Sequence, residues 1–378
     1  MKTESSHSCR AEPIGVGILG CGKISQAYFD GIRLYPDLRI VACADLNPEV
    51  ARLQAERNGC EALEVDELLS RPDIGLVLNL TIPAAHAEVS LRVLGTGKHV
   101  YCEKPLAVSP EEAVPVLDLA KGKGLRVGCA PDTFLGPGLQ ACRERIDAGA
   151  IGRVVAGTAF MLSPGPESWH PNPGFYYLRG GGPVFDMSPY YLTALVNLLG
   201  PVERVGALSG RGLDLRIATS EARRGEKLPV EVDTHSSASL SFVSGAIVTA
   251  VFSFDVQAHQ HTNIELYGTD GSLRGPDPNT FRGPVELFRG EAREEGWIEQ
   301  PLGFPVERAA RGIGAADMAR SIRTGEPHRA SGELAFHVLE IMEGIGTSSR
   351  DGRAVPIESR LERPAPLPDG LGTEPGES

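Results

Sequence analysis

The sequence predicts an α/β protein in two parts: a parallel sheet covered by helices on both faces, then an α+β unit on a mostly antiparallel sheet. Three observations predict this. Up to about residue 130, short apolar runs alternate with helix-like segments. Those runs are nearly continuous in apolar residues, as strands buried on both faces must be. Beyond that point the pattern changes to alternating strands joined by short Gly-containing turns. At 378 residues the chain is also longer than one core normally serves.

In order, Ile14–Leu19 reads as a buried strand and Lys23–Leu34 as an amphipathic helix with Ile24, Tyr28 and Ile32 on one face. Arg39–Ala44 is a second strand. Asn47–Asn58 is a helix with Asn47 as N-cap and Pro48 at its first position. Ile74–Leu80 is a strand, His86–Leu94 a helix, Lys98–Cys102 a strand. Ser109–Gly122 opens with Ser-Pro-Glu-Glu, a helix start, and Leu125–Cys129 is the next strand. In the second part, Leu139–Ala148 is a helix and Gly152–Met161 a strand. A loop rich in Gly, Pro and aromatics spans Ser163–Pro183, before a helix at Pro189–Leu199. Ser236–Phe242 and Ala246–Phe254 form a hairpin across Ser244-Gly245; Asn263–Tyr267 and a strand after the turn at Gly268–Gly271 follow. The expected division is a disordered lead-in at 1–12, domains at 13–130 and 131–355, and a loose tail at 356–378.

Apolar residues make up 41% and charged residues 23%, ordinary globular values. A net charge of −12 without a basic cluster argues against nucleic acid and anionic membranes as partners. No stretch approaches the ~20 apolar residues of a membrane span, and Met1–Pro13 lacks the apolar core of a secretory signal. The seven cysteines all precede residue 143 and form no Cys-x-x-Cys pair. That pattern fits reduced thiols and a cytoplasmic protein. His259 and His261 have the spacing of a metal pair but no accompanying ligand cluster, so no metal is expected.

The first strand leads directly into Gly20-Cys21-Gly22-Lys23-Ile24-Ser25. A literal Gly-x-Gly-x-x-Gly at Gly15, Gly17 and Gly20 lies partly inside the strand and is rejected. In the chosen register Gly20 makes the tight turn, and Gly22 lets backbone N–H groups approach a pyrophosphate. Ser25 is small enough for close helix–strand packing, and the N-terminus of the helix faces the phosphates. Asp45 ends the second strand, 23 positions after Gly22. A carboxylate there accepts hydrogen bonds from the adenosine ribose and repels a 2′-phosphate. No Arg or Lys occurs in Leu46-Asn47-Pro48, which favours NAD over NADP. The first domain is thus a Rossmann dinucleotide-binding domain, with cofactor contacts expected at Gly20, Gly22, Lys23, Ile24, Asp45 and Leu46.

Cys102-Glu103-Lys104-Pro105 follows a strand of the same domain. Combined with the glycine turn, Asn79-Leu80-Thr81-Ile82-Pro83, His86 and Gly180-Gly181-Gly182-x-x-x-Asp186, it resembles the glucose–fructose oxidoreductase / inositol dehydrogenase (Gfo/Idh/MocA) family over roughly Ile14 to Pro356. The resemblance implies a large open sheet in the second domain, whose exposed face builds a homodimer or homotetramer. It implies a sugar, polyol or related hydroxy or keto substrate between the domains. Thr81 and Pro83 match the segment at the nicotinamide end, with His86 packing near it, and Glu103 and Lys104 match the motif beside the nicotinamide ribose. Lys104 also matches the catalytic lysine. Chemistry supplies the reason: hydride transfer at an alcohol carbon requires a proton to move on the same oxygen, and an ammonium there polarises a carbonyl. Burial near other cations is expected to lower its pKa toward neutrality.

Asp186 matches the family's aspartate; Tyr190 stands at the histidine of the family pattern, and a Tyr at that place is similar to glucose–fructose oxidoreductase itself. Asp186 and Tyr190 share one face if both lie in the first helical turn; Asp186 also has the place of an N-cap. Ser188 stands at a family glycine, so a backbone requiring φ > 0 there would be strained. Trp169 and His170, in the preceding loop, and His235, at the start of a strand, are further substrate-binding candidates. Two other functions use the same residues: glycoside cleavage by transient oxidation and elimination, and non-catalytic NAD(H) sensing, against which the proton relay argues.

Overall fold

The computed structural model describes residues 12–368 and 371, so all but Glu12 of the expected lead-in lies outside the described residues. The first unit runs β1 (Ile14–Leu19), α1 (Ser25–Ile32), β2 (Leu38–Ala44), α2 (Pro48–Asn58), β3 (Glu61–Ala62), α3 (Val65–Ser70), β4 (Leu76–Asn79), α4 (His86–Gly95), β5 (His99–Cys102), α5 (Pro110–Lys123) and β6 (Val127–Cys129). Its six strands are all parallel, in the order β3-β2-β1-β4-β5-β6. The order reverses between β1 and β4, so a crevice opens at their C-terminal ends. Gly20, Thr81 and Lys104 all lie just beyond such ends. Asn47 caps α2, its side chain accepting from Glu49 N at 3.1 Å, and Gly59 ends the helix in the left-handed region.

The second unit comprises α6 (Pro137–Asp147), β7 (Val154–Leu162), α7 (Gly182–Asp186), α8 (Ser188–Leu199), β8 (Val202–Gly210), β9 (Leu215–Ile217), β10 (Lys227–Pro229), β11 (His235–Phe242), β12 (Ile247–Ser253), β13 (Ile264–Gly268), β14 (Gly271–Gly275), β15 (Glu286–Arg289), β16 (Trp297–Glu299), α9 (Ile313–Thr324), α10 (Gly332–Asp351) and β17 (Val355–Pro356). Nine strands form one sheet, ordered β16-β15-β14-β13-β7-β12-β11-β8-β17. All its pairs are antiparallel except β7 with β12. The predicted β11–β12 hairpin is present, with Ala238 opposite Ala250.

One face of this sheet carries Val205, Leu240, Val248 and Phe252, all buried. Helices α8 and α10 cover it: the Tyr191 and Phe252 rings meet edge-on at 6.0 Å, and a Cβ on Gly344 of α10 would lie 2.8 Å from Val205. The other face bears Leu208, Ser237, Ser239, Ile247 and Thr249, all exposed. Helix α9 returns to the first unit, packing on β6 and α1. The tail expected to be loose is seated as far as residue 368. Ile357 is buried, Arg363 donates to Asn197 O at 2.8 Å, and Leu367 N donates to Gln140 Oε1 at 2.9 Å.

Candidate active site

The glycine turn has the shape a dinucleotide needs. Gly20 has φ +94°, and a Cβ on it would lie 2.6 Å from Leu80 O, so only glycine fits between β1 and β4. A Cβ on Gly22 would meet nothing within 4 Å, so open space lies above the turn. Ser25 is buried, its hydroxyl donating to Gly22 O at 2.7 Å, which fixes the first turn of α1. Residues Lys23 and Ile24, expected within the helix, instead form the turn that precedes it, and both are exposed beside that space. Asp45 fastens the turn. Its Oδ2 accepts from Cys21 N and its Oδ1 from Asn47 N, each at 2.8 Å. Each oxygen keeps capacity for a further donor. Leu46 beside it is almost fully exposed. These features fit the adenosine and pyrophosphate of a dinucleotide.

The opposite wall comes from the ends of β4 and β5. Thr81 Oγ1 donates to Asn79 Oδ1 at 2.6 Å, and Pro83 follows at partly exposed positions. His86 does not reach the crevice. It is buried, with Nδ1 2.6 Å from Pro105 O and Nε2 3.0 Å from Thr81 O, so it ties the two loops together. Burial lowers its pKa despite those two carbonyls, and a neutral ring donates to only one of them. Glu103 is likewise buried; its carboxylate accepts from Tyr28 OH at 2.8 Å and from Lys104 N at 2.9 Å. Both residues support the wall from behind rather than facing a cofactor.

Lys104 projects from the end of β5 to the second unit. Its Nζ lies 2.8 Å from Asp186 Oδ1 and also donates to the Asp186 carbonyl; the side chains are 14% and 23% exposed. The same Nζ is 5.3 Å from the centre of the Tyr190 ring. Burial works against the ammonium, but Asp186, Tyr190 and Glu103 outweigh it, and the lysine pKa is raised. The expected fall toward neutrality is thus overturned, because its neighbours are anionic or polar rather than cationic. Asp186 is the last residue of α7, and Met187 holds the N-cap position of α8, so Asp186 is not an N-cap. Ser188 is no strained substitute for glycine. No described non-glycine residue has positive φ, and the Ser188 hydroxyl donates to Val184 O at 2.5 Å.

The loop between β7 and α7 lies over this group. Its base is clamped by Arg216, which donates to Pro164 O at 3.0 Å and Glu167 Oε1 at 2.7 Å. Its tip packs Trp169, His170, Phe175 and Tyr176 against one another. Lys23 Nζ sits 5.2 Å from the Trp169 ring, so the loop touches the glycine turn. Burial lowers the pKa of His170, which also feels the charges of Lys23 and Asp186. His235 is elsewhere. Its ring bonds Ser253 Oγ at 3.0 Å and Ser237 Oγ at 3.2 Å on the face opposite α8 and α10, because strand alternation sends Ser236 inward instead. It is therefore removed as a substrate contact.

Two residues were not picked out in the sequence. Tyr176, buried in the loop, lies near Asp186, Lys104 and Tyr190. Arg311 donates through Nη2 to Tyr190 OH and to Asn279 Oδ1, each at 3.2 Å. Nothing local signals Arg311, which is 121 residues from Tyr190.

Residues 14–130 match the model of the oxidoreductase family with an NAD-binding Rossmann fold, and residues 139–274 match the GFO/IDH/MocA C-terminal domain. A dTDP-3,4-didehydro-2,6-dideoxy-α-D-glucose 3-reductase of Streptomyces violaceoruber is 32% identical over 342 residues, 88% of this chain and 93% of that one. Levoglucosan dehydrogenase of Pseudarthrobacter phenanthrenivorans is 26% identical over 289 residues, 69% of this chain and 73% of that one. A solved levoglucosan dehydrogenase in complex with NADH and L-sorbose superposes with a TM-score of 0.79 at 23% identity, over 93% of this chain and all of the other. Sequence and geometry agree: the chain belongs to the Gfo/Idh/MocA family and is an NAD(P)-dependent oxidoreductase that moves a hydride between nicotinamide and the CH–OH or C=O carbon of its substrate.

Proposed function

We propose that this enzyme interconverts one secondary alcohol and ketone of a sugar or polyol, with NAD as the preferred nucleotide and Lys104, Asp186 and Tyr190 at the reacting carbon. The observation that carries the reading is the Lys104–Asp186 contact of 2.8 Å beside Tyr190, at the strand ends where the crevice opens. When bound, the nicotinamide gives or takes the hydride at C4. Lys104, held as a cation, polarises the substrate oxygen. Tyr190 carries the proton: in reduction its O–H bond breaks as the O–H bond of the alcohol forms. Asp186 fixes the lysine through two contacts, one of them from its own carbonyl. Trp169, His170 and Tyr176 cover the sugar, an apolar face edged with polar groups suited to a polyhydroxylated ring.

In this division, residues 13–130 hold the nucleotide and 131–355 the substrate and a subunit interface. The exposed sheet face, with Leu208 and Ile247 among small hydroxyl residues, supports a homodimer or homotetramer, which light scattering would size. No described helix is long and apolar enough to cross a membrane. The six described cysteines are free thiols, consistent with a cytoplasmic site of action.

The test is titration calorimetry with NAD⁺, NADH, NADP⁺ and NADPH, followed by turnover of levoglucosan, D-xylose, inositol and 1,5-anhydro-D-fructose. Tighter binding of the NAD pair and turnover of a panel member are expected. Tighter binding of the NADP pair overturns the reading of Asp45. Nucleotide binding with no turnover of any sugar or polyol overturns the substrate class.

A further inference from the structure

Tyr190 is held between two cations. Lys104 Nζ and Arg311 Cζ each lie 5.3 Å from its ring centre, and Arg311 Nη2 donates to its oxygen at 3.2 Å. The chain invests much local structure in placing that guanidinium. Arg311 stands on the loop before α9, far from α8 in sequence. Its carbonyl presses so closely on α1 that a Cβ on Gly31 would lie 1.9 Å from it. Tyr35 OH grips the preceding residue, accepting from Ala310 N at 3.0 Å and lying 3.2 Å from Ala310 O. The next residue, Gly312, has φ +101°, and its N–H and that of Gly314 both donate to Asp132 Oδ2, at 2.8 and 3.2 Å. Asp132 itself is completely buried.

The Arg311–Asp132 pair is correspondingly loose. Arg311 Nη1 and Asp132 Oδ1 are 3.6 Å apart, and neither atom has a hydrogen-bond partner although both are buried. Asp132 compensates the arginine's charge through space, while spending its hydrogen bonds on the backbone that carries the arginine. The guanidinium keeps its Nη2 donors for Tyr190 and Asn279. A carboxylate locked onto both guanidinium nitrogens would have drawn that charge away from the phenol.

We propose that Arg311 is a positioning residue for Tyr190. Its N–H occupies one lone pair of the phenol oxygen, so the hydroxyl proton is turned away from Arg311. When that proton leaves for the substrate oxygen, the negative charge that develops on the Tyr190 oxygen is already hydrogen-bonded to a fixed cation. The inference rests on Tyr190 as the proton carrier.

A double-mutant cycle on the full-length enzyme tests it, with the sugar-panel member of highest kcat/KM as substrate. The variants are Arg311→Met, Tyr190→Phe and the pair together. Tyr190→Phe should lower kcat by about 10²-fold or more. Arg311→Met should lower kcat by at least about tenfold in the presence of Tyr190, with KM for the nucleotide within about threefold. In the Tyr190→Phe background it should change kcat by less than about twofold, because the oxygen it serves is gone. Equal losses in both backgrounds would show that Arg311 acts only on structure and would overturn the proposal. An undiminished Tyr190→Phe variant would overturn the proton-carrier reading itself, and the proposal with it. Arg311→Lys guards against a variant that does not fold. It keeps a charge near Asp132 but loses the planar fork, so the same dependence on Tyr190 is expected, and wild-type kcat in Arg311→Lys would refute it.

Discussion

Asp45→Asn separates the two tasks of the carboxylate that ends β2. In the structure Asp45 accepts one backbone N–H on each oxygen, from Cys21 and from Asn47. An amide has one oxygen, so one of these donors loses its acceptor. The Cys21 bond is part-buried and the Asn47 bond exposed. The amide oxygen should therefore stay with Cys21, and Asn47 N should turn to water at little cost. The glycine turn survives, and what changes is the hydrogen bonding to ribose. Bonds to a charged acceptor are worth about 1 kcal/mol more than neutral ones. Two ribose hydroxyls then give a loss of about 2 kcal/mol, or roughly 30-fold in Kd for NAD⁺. For NADP⁺ the sign reverses. Removing a unit charge some 4 Å from a phosphate relieves about 1–4 kcal/mol of repulsion, so NADP⁺ should gain affinity. Titration calorimetry of both nucleotides near 0.15 M salt reads the ratio directly. A folded variant whose NAD⁺/NADP⁺ ratio matches wild type would show that Asp45 only fastens backbone and never meets the ribose.

Lys104→Met should lower turnover by about 10²–10⁴-fold with circular dichroism unchanged, and wild-type turnover would remove the lysine from the mechanism. Gly20→Ala places a methyl 2.6 Å from Leu80 O at a positive φ, so calorimetry should detect no nucleotide binding, whereas wild-type affinity would mean the turn is not where the dinucleotide sits. Trp169→Ala removes the Lys23 cation–π contact and one wall of the sugar cover; KM for the sugar should rise several-fold while nucleotide Kd stays within about threefold, and the reverse pattern would assign Trp169 to the cofactor. His337 is a stability switch. Burial, against the opposing pull of Glu340, holds its pKa down to about 4, and its Nε2 accepts from Val202 N at 3.0 Å, so the fold needs the neutral ring. Its folded pKa lies below the unfolded value of about 6.5, so its contribution is intact above that pH and is lost as pH falls toward 4, up to about 3 kcal/mol. Melting temperature against pH should show that slope, and His337→Gln should make it shallower between those limits, the remainder coming from other buried histidines such as His86 and His328.

The first unit was readable because its signals are local. Five of its six strands are short apolar runs, and Gly20, Asn47-Pro48 and Ser109-Pro110 punctuate the helices in the positions where the structure needs them; the exposed two-residue β3 and the short α3 lack such signals and were not expected. The second unit hides its longest helix. Helix α10 carries Gly344 and Gly346 and ends in a polar stretch, a poor helix by propensity. Gly344 is there because the helix lies too close to Val205 for a side chain, a tertiary requirement that no window of sequence displays. Pairing of β12 with β7 is equally unreadable, since a parallel partner some 90 residues away leaves no turn to mark it. His235 went wrong for a related reason. Its position at a strand start was visible, but which face it takes depends on the register of β11 against β12.

The active site shows the same split between local and distant information, and it changes the chemistry. From sequence, Lys104 was a buried lysine whose charge burial would weaken. The partner that reverses this, Asp186, comes from the other unit and reaches it with both its side chain and its carbonyl. A lysine held charged suits a carbonyl that must be polarised and an alkoxide that must be stabilised. While it stays an ammonium it has no lone pair with which to take the alcohol's proton. In the proposed mechanism the proton therefore travels through another group within reach of the same oxygen. Tyr190 lies against Lys104, and its oxygen is the atom to which Arg311 is aimed. The phenol at this place is matched by a cation at its oxygen, where an imidazole ring would have met repulsion once protonated.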